Sequence, residues 1–389
     1  MKKLEMALTT TTNHTTPARI LLADDQGDIL DALQLLLKPG GYHTKVVTQP
    51  SAVLEALEAG SFDLVLIDLN YTRDTTSGGE GLDLLSRIRA IDETVPVLVM
   101  TAWSTVDLAV EAMRRGACDF VQKPWQNRHL LEKIQAHVEH HRDLVTQQHW
   151  REKELQEAQE IQRNLLPKSI PHVPGFEIAA TSRPVRFVGG DYYDVVRLSD
   201  TGTSLSIADV SGKGLPAALL MSSLQAALRP LIVDSIEPRE VCRRLNHALC
   251  EIALPGKFVS FFYCILNSET GRVTYCNAGH NPPLLIRSGG QAETLSSGDA
   301  VLAQFPNWQF SQRSVDLSSG DALILFTDGI VEACGRSGVP LGEERLVRVA
   351  AQNSQFSAAH LHNAILAAAS DHSDGHFQDD VTLVVLRAN

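Results

Sequence analysis

Two clusters of glycine and aspartate constrain this chain more than any other stretch: Gly189-Gly190-Asp191-Tyr192-Tyr193-Asp194 and Ala208-Asp209-Val210-Ser211-Gly212-Lys213-Gly214. Between them lie two runs of alternating apolar and polar residues, 193–198 and 204–210, separated by Ser199-Asp200-Thr201-Gly202. Alternation with period two is the pattern of a half-buried strand, and the Ser-Asp-Thr-Gly tetrapeptide is a turn signal. The segment reads as an antiparallel hairpin centred near Asp200, which sets Asp191 opposite Asp209 to within about a residue of register. Carboxylates facing each other across a sheet repel. A hard divalent cation resolves the conflict, because carboxylate oxygen is the ligand Mg2+ and Mn2+ prefer. The hairpin alone therefore predicts a metal site.

More acid converges from later in the chain. The apolar run 322–326 ends in Thr327-Asp328-Gly329, and Asp379-Asp380 immediately precedes a terminal apolar run, 381–387. If those strands are antiparallel, Asp328 and Asp379 share one sheet edge. A lone Asp-Gly is ordinarily just a turn; the specific signal is that several such clusters occur together. The pattern predicts further strands at 258–266, 273–277, 283–287 and 309–316, with helices at 215–228, 238–252, 344–351 and 358–369. Strands in runs with helices between them describe an α+β domain of two packed antiparallel sheets flanked by helices.

The front of the chain has a different rhythm. Apolar strands at 19–23, 45–48, 63–67, 95–100 and 120–121 alternate with helical patterns at 29–37, 51–59, 81–90 and 106–115, which describes a doubly wound, five-stranded parallel sheet. Asp24, Asp25, Asp68, Thr101 and Lys123 all fall at carboxyl ends of strands, the edge where open α/β sheets bind ligands. In this order they closely resemble the receiver domain of bacterial two-component response regulators, flavodoxin-like in fold, over residues 18–135. The resemblance implies that Asp68 accepts a phosphoryl group. Asp24, Asp25, Asp68 and the backbone of Asn70 would hold Mg2+, and Lys123 and Thr101 would contact the phosphoryl oxygens. Phe120 would be the aromatic that moves with the switch, and the Lys123-Pro124 bond would be cis. The loop from Asn70 to Glu80 is longer than usual for the family.

Residues 136–167 read as a helical connector ended by Pro167. Leu155, Ala158, Gln162 and Leu165 follow alternating four- and three-residue steps, with Ile161 beside them. That is either a solvated tether or the seam of a parallel coiled coil.

Residues from about 160 to 389 resemble the metal-dependent protein phosphatase (PPM) family, in its SpoIIE-like branch. The match rests on both Gly/Asp clusters, on Ala278-Gly279-His280-Asn281-Pro282-Pro283, and on the Thr327 and Asp379 segments. It implies a centre of two Mg2+ or Mn2+ ions bridged by Asp209. Asp191 and the Val210 carbonyl would hold one ion; Asp328 and either Asp379 or Asp380, with Asp379 preferred, would hold the other. Lys213, at the start of the helix from 215, is a candidate catalytic residue that adds positive charge, and Arg183 and Arg186 are candidate phosphate contacts. Asp194 is either a ligand to a water of the metal shell or a strand-end surface residue. Eukaryotic relatives carry a histidine two places after the bridging aspartate, where this chain has Ser211. The general acid is thus unassigned, with His280 as a candidate.

A length of 389 residues suits two or three domains, and a net charge of -12 argues against a nucleic-acid-binding surface. Six scattered cysteines, no C-x-x-C pair and no apolar run of membrane-spanning length predict a reduced, cytoplasmic protein with a disordered lead-in, 1–17. The expected whole is a response regulator whose phosphorylation at Asp68, by a sensor histidine kinase or phosphotransfer protein, controls a protein serine/threonine phosphatase. By resemblance, its substrate is a phosphorylated STAS-domain anti-sigma-factor antagonist. A homodimer through the receiver or connector is expected, with no direct DNA binding. The competing reading is a catalytically silent adaptor that binds a sigma factor or its regulators.

Overall fold

The computed structural model describes residues 16–71, 79–102, 106–233, 237–296, 298–336 and 338–389. Most of the expected lead-in and the middle of the long loop after Asn70 lie outside these residues. The chain divides into two compact units, Met1–Glu152 and Lys153–Asn389.

In the first unit, strands β1 (Arg19–Ala23), β2 (His43–Val47), β3 (Leu64–Asp68), β4 (Val97–Thr101) and β5 (Asp119–Gln122) alternate with helices α1 (Gly27–Leu37), α2 (Pro50–Glu58), α3 (Gly79–Ile91) and α4 (Val106–Arg114). The sheet is wholly parallel, in the order β2-β1-β3-β4-β5. Every residue of β3 and β4 is buried, as a strand covered on both faces requires, which is why these segments are continuous apolar runs rather than alternating ones. Leu21, Val65, Ile67 and Val99 face the core shared with α2 and α3, while Ile20, Leu22, Leu66 and Met100 face α1.

Helix α5 (Asn127–Leu165) contains no glycine or proline and runs unbroken through the division between the units. Leu130, Ile134 and Val138 pack into the first unit's core, and the Arg142 guanidinium clamps Asp63 at 2.7 and 3.1 Å. At its far end Ile161 is 66% exposed. Gln162, on the stripe read as either a solvated tether or a coiled-coil seam, is buried within the second unit. Its Nε2 donates to the Gly189 carbonyl (2.7 Å) and its Oε1 accepts the Gly189 N–H (3.0 Å), so that seam position is spent within the chain.

The second unit has two five-stranded sheets. One, in the order β13-β10-β9-β8-β7, comprises β7 (Tyr192–Arg197), β8 (Gly202–Val210), β9 (Val259–Asn267), β10 (Arg272–Ala278) and β13 (Arg313–Asp316). The other, in the order β12-β11-β14-β15-β6, comprises β6 (Phe176–Arg183), β11 (Leu284–Ile286), β12 (Ala292–Thr294), β14 (Ala322–Phe326) and β15 (Val381–Ala388). All pairings are antiparallel. Leu205, Ile207 and Phe262 from the first sheet meet Leu323, Leu325 and Val384 from the second. Helices α6 (Leu215–Val233) and α7 (Pro238–Ile252) cover the outer face of the first sheet. Helix α8 (Asp328–Val331), with α9 (Glu343–Asn353) and α10 (Ala358–His372), covers that of the second.

Three features depart from expectation. The strand expected at 309–316 shrinks to β13. Strands β6 and β12 and the short helix α8 carried no usable pattern. Helix α6 continues to Val233, and Leu215–Ile232, with mean hydropathy 1.3, is long and apolar enough to cross a membrane by length and composition, contrary to the reading that no run is. Its Met221, Leu224 and Leu228 are fully buried in the core beneath the first sheet.

Candidate active sites

In the first unit the sheet's carboxyl edge gathers the expected residues around an open pocket of about 580 Å³ lined by Asp25, Asp68, Asn70, Lys123 and others. Lys123 Nζ lies 2.6 Å from Asp24 Oδ2 and 3.1 Å from Asp68 Oδ2. Asp24 and Asp68 are buried, and with Asp25 they bring one oxygen each within 4.8 Å of one another. Burial raises the Asp68 pKa above the ordinary carboxylate range, partly offset by Lys123. Asp25 Oδ1, Asp68 Oδ1 and Asn70 Oδ1 are buried without a hydrogen-bond partner. Unsatisfied hard oxygens around a lysine-neutralised acid pair fit Mg2+. The Asn70 amide N–H reaches Asp68. Thr101 is buried at the end of β4, Phe120 faces outward with Lys133 Nζ 5.5 Å from its ring, and the Lys123-Pro124 bond is cis.

In the second unit strand alternation decides which acids face which way. Tyr192 pairs with Ala208, so the register carries Asp191 opposite Asp209, as the hairpin predicted. Tyr193 and Ile207 face the space between the sheets, and Asp191 and Asp209, two residues from each, share that direction. From the second sheet Leu325 and Val384 point inward, and so do Thr327 and Thr382. Thr327 Oγ1 donates to Asp191 Oδ2 (2.8 Å) and accepts the Thr382 N–H (2.9 Å), so the two sheets are joined at Asp191.

The electrostatics follow from this placement. Burial pushes Asp191 well above the usual range, with Asp209 adding to it. Asp209 is raised to about 7, first by burial and then by the charges of Asp328, Asp379, Asp380 and Glu332. Asp328, opening α8, is raised by burial, Glu332 and Asp379. The set is looser than the first unit's: among the described residues no other trio of His, Cys, Asp or Glu comes within 4.8 Å, and Lys213 Nζ holds Asp379 Oδ2 at 2.7 Å. Mutually repelling carboxylates, one lifted to neutrality, fit divalent cations as their neutralising partners.

Asp380 has another task. Its Oδ1 accepts the Val185 N–H (2.8 Å) and its Oδ2 the Gly190 N–H (2.7 Å), so backbone amides engage both of its oxygens. This clamp explains the double glycine. A side chain at Gly189 would collide with the Asp380 carboxylate, and one at Gly190 would come within 2.9 Å of the Val210 carbonyl.

Several expected roles are corrected. Asp194 is neither a surface residue nor near the acids. Three positions from Asp191, it faces α6, buried, with Arg229 at 2.8 Å and the Tyr192 hydroxyl donating to it at 2.9 Å. Arg183, paired with the outward-facing Val381, lies on the α10 side near His362. Arg186 remains a candidate, exposed beside Gly214. Ser211 Oγ accepts the Phe258 N–H and is structural. His280 is buried and its pKa falls to about 4, so the neutral ring cannot serve as a general acid near pH 7. Gln162, Thr327, Ser260, Lys257 and Glu332 were missed. Lys257 Nζ reaches the Ser211 carbonyl at 3.0 Å. The polar Gln162 in an otherwise apolar stripe and Thr327 next to Asp328 were the available signals.

The comparisons with known proteins agree with this architecture. Residues 20–135 match the profile of the response regulator receiver domain, and residues 199–389 that of stage II sporulation protein E (SpoIIE); Asp191 lies outside the matched span. The phosphoserine phosphatase RsbU of Bacillus subtilis (strain 168) is 30% identical over 235 residues, covering 60% of this chain and 70% of RsbU. Protein IcfG of Synechocystis sp. is 29% identical over 266 residues, 61% of this chain and 42% of IcfG. Among solved structures, the RsbU and RsbW domains of Rv1364c from Mycobacterium tuberculosis superpose with a TM-score of 0.52 at 29% identity, covering 58% of this chain and 63% of that one. The SiaA-PP2C domain of Pseudomonas aeruginosa shares the fold, with a TM-score of 0.55 at 20% identity over 62% of this chain and 98% of that one. The chain belongs to the RsbU and SpoIIE family of metal-dependent serine/threonine phosphatases and carries a response-regulator receiver domain ahead of its phosphatase.

Proposed function

We propose that phosphorylation of Asp68 sets the rate at which the second unit hydrolyses phosphoserine or phosphothreonine on another protein. The observation that carries the phosphatase half is the convergence on Asp209, lifted to about 7 by burial and surrounding acids. Asp191 and the Val210 carbonyl would hold one cation with Asp209, and Asp328 and Asp379 would hold the other. Bound there, divalent cations lower the pKa of water and neutralise charge on a phosphoryl group.

The chain's own residues shape the rest. Thr327 fixes the rotamer of Asp191, and Lys213, tied to Asp379 and to the Gln378 carbonyl (2.7 Å), brings a positive charge to the rim. Arg186 and the amino end of α6 favour an anion beside it. In the first unit an oxygen of the Asp68 carboxylate, held beside Lys123, would attack phosphorus. Lys123 is already placed to pair with the new phosphoryl oxygens. The Gln162 contacts give α5 a handle on Gly189, two residues before Asp191, so a shift of its last turns acts on the acid set.

Similarity to RsbU supports a phosphorylated STAS-domain anti-sigma-factor antagonist as substrate, and the receiver supports a histidine kinase or phosphotransfer protein as phosphoryl donor. We take the protein to be cytoplasmic, which six unpaired cysteines suit, and to act as a homodimer without touching DNA. The full chain with Mn2+ should dephosphorylate such a phosphoprotein, and Asp209→Asn or Asp328→Asn should abolish turnover. No turnover by wild type in excess Mn2+ overturns the reading in favour of an adaptor.

A further inference from the structure

His280 is not one of the second unit's acids, yet it lies between the strands that lead to two of them. Asp209 on β8 faces Ser260 on β9 across the strand pair. Ser260 Oγ is 3.4 Å from the Asp209 carbonyl and 2.9 Å from His280 Nδ1. On its other side the imidazole lies against the carbonyl of Phe326, two residues before Asp328 in the opposite sheet. His280 Nε2 is buried without a hydrogen-bond partner.

The ring cannot drift. The His280 N–H donates to Asn277 Oδ1 (2.8 Å), Asn277 Nδ2 donates back to the His280 carbonyl (3.1 Å), and Gly279 bridges to Phe261. A hydroxyl has one proton. Ser260 therefore either donates to Nδ1, with the ring's own proton on Nε2 and the Asp209 carbonyl at 3.4 Å held by contact alone, or donates to that carbonyl and accepts from Nδ1–H.

We propose that His280 is a positioning residue. Wedged between the sheets, it fixes the gap between the strand bearing Asp209 and the strand leading to Asp328, and thereby the affinity of the acid set for its cations. This rests on reading the second unit as a metal-dependent phosphatase. Groups that orient ligands without touching the metal are worth about 10–100-fold in affinity. A wedge acting on the spacing of two ligands belongs in that range.

The test is calorimetric titration of the full-length protein with Mn2+ alone, every variant carrying Asp25→Ala to weaken cation binding by the receiver. His280→Asn removes the wedge. Ser260→Ala cuts its link to Asp209 with the ring left in place, and so keeps the question answerable if the histidine variant misfolds. Ser260→Thr keeps the hydroxyl. Ser260→Ala and His280→Asn should bind Mn2+ about tenfold or more weakly, and Ser260→Thr should recover most of the loss. At saturating Mn2+ the KM for a small phosphomonoester should stay near the parent's. Parent-like Mn2+ affinity in folded Ser260→Ala and His280→Asn, with only a lowered Tm, overturns the proposal. A parent that takes up no Mn2+ in the second unit overturns the metal centre and this proposal with it.

Discussion

Asp209 is the residue at which charge accumulates, and its protonation makes that measurable. An ordinary aspartate titrates near 4, whereas burial and neighbouring carboxylates lift this one to about 7. Between those values the folded, metal-free protein keeps a proton that the unfolded chain releases. The group's effect on stability is therefore most favourable in acid and is lost as pH rises through 7. Asp209→Asn should raise the metal-free Tm at pH 7.5 by several degrees, since a kcal/mol is worth about 2–4 °C in a domain of this size. The gain should shrink at pH 5, where Asp209 is itself neutral. Thermal melts in a chelator decide it, and a lowered Tm at pH 7.5 contradicts the account. Asp194 makes the opposite case. Asp194→Ala strands Arg229 and the Tyr192 hydroxyl, and should cost about 1–3 kcal/mol in a denaturant titration while Mn2+ affinity stays at the wild-type value. The acids were legible in the sequence one by one, but their directions were not. Asp191 and Asp194 stand three apart in one motif, and only the strand parity sends them to opposite faces. Asp379 was preferred over Asp380, but the partners of Asp380, two backbone amides far away in the chain, could not be read from the sequence.

At the scale of elements, period and punctuation carried most of the fold. The buried runs of β3 and β4, the hairpin of β7 and β8 and the Pro-led α7 followed from local pattern, and the hairpin register came out as expected. Strand β6 did not. Its Phe-Glu-Ile-Ala-Ala-Thr-Ser-Arg has small and polar residues where a strand signal needs branched ones, and only pairing with β15 along its whole length makes it a strand. In α5 the stripe through Leu155, Ala158, Gln162 and Leu165 was visible, but a helical stripe does not say what it packs on. Gln162→Ala removes two hydrogen bonds to Gly189, each worth about 1 kcal/mol net. Phosphatase turnover should fall several-fold while acetyl phosphate still labels Asp68. Loss of both activities would indicate general misfolding and refute a local role for Gln162.

Across the whole molecule, two sites of the same chemistry recur: carboxylates at a sheet edge, each set with a lysine beside it. The first should control the second. Beryllofluoride should change the phosphatase rate of the full chain several-fold, and Asp68→Ala should be insensitive to it; equal responses from both proteins would break the proposed control. The inward and outward alternation of the second unit also has a genetic corollary. Losing or gaining a single codon within β7, β8, β14 or β15 would swap every side chain beyond the lesion to the other face, putting carboxylates in oil and leucines at the mouth of the site. Frame-preserving changes of length should therefore survive only in the turns at 199–201, 268–271 and 287–291, while substitutions are tolerated far more widely.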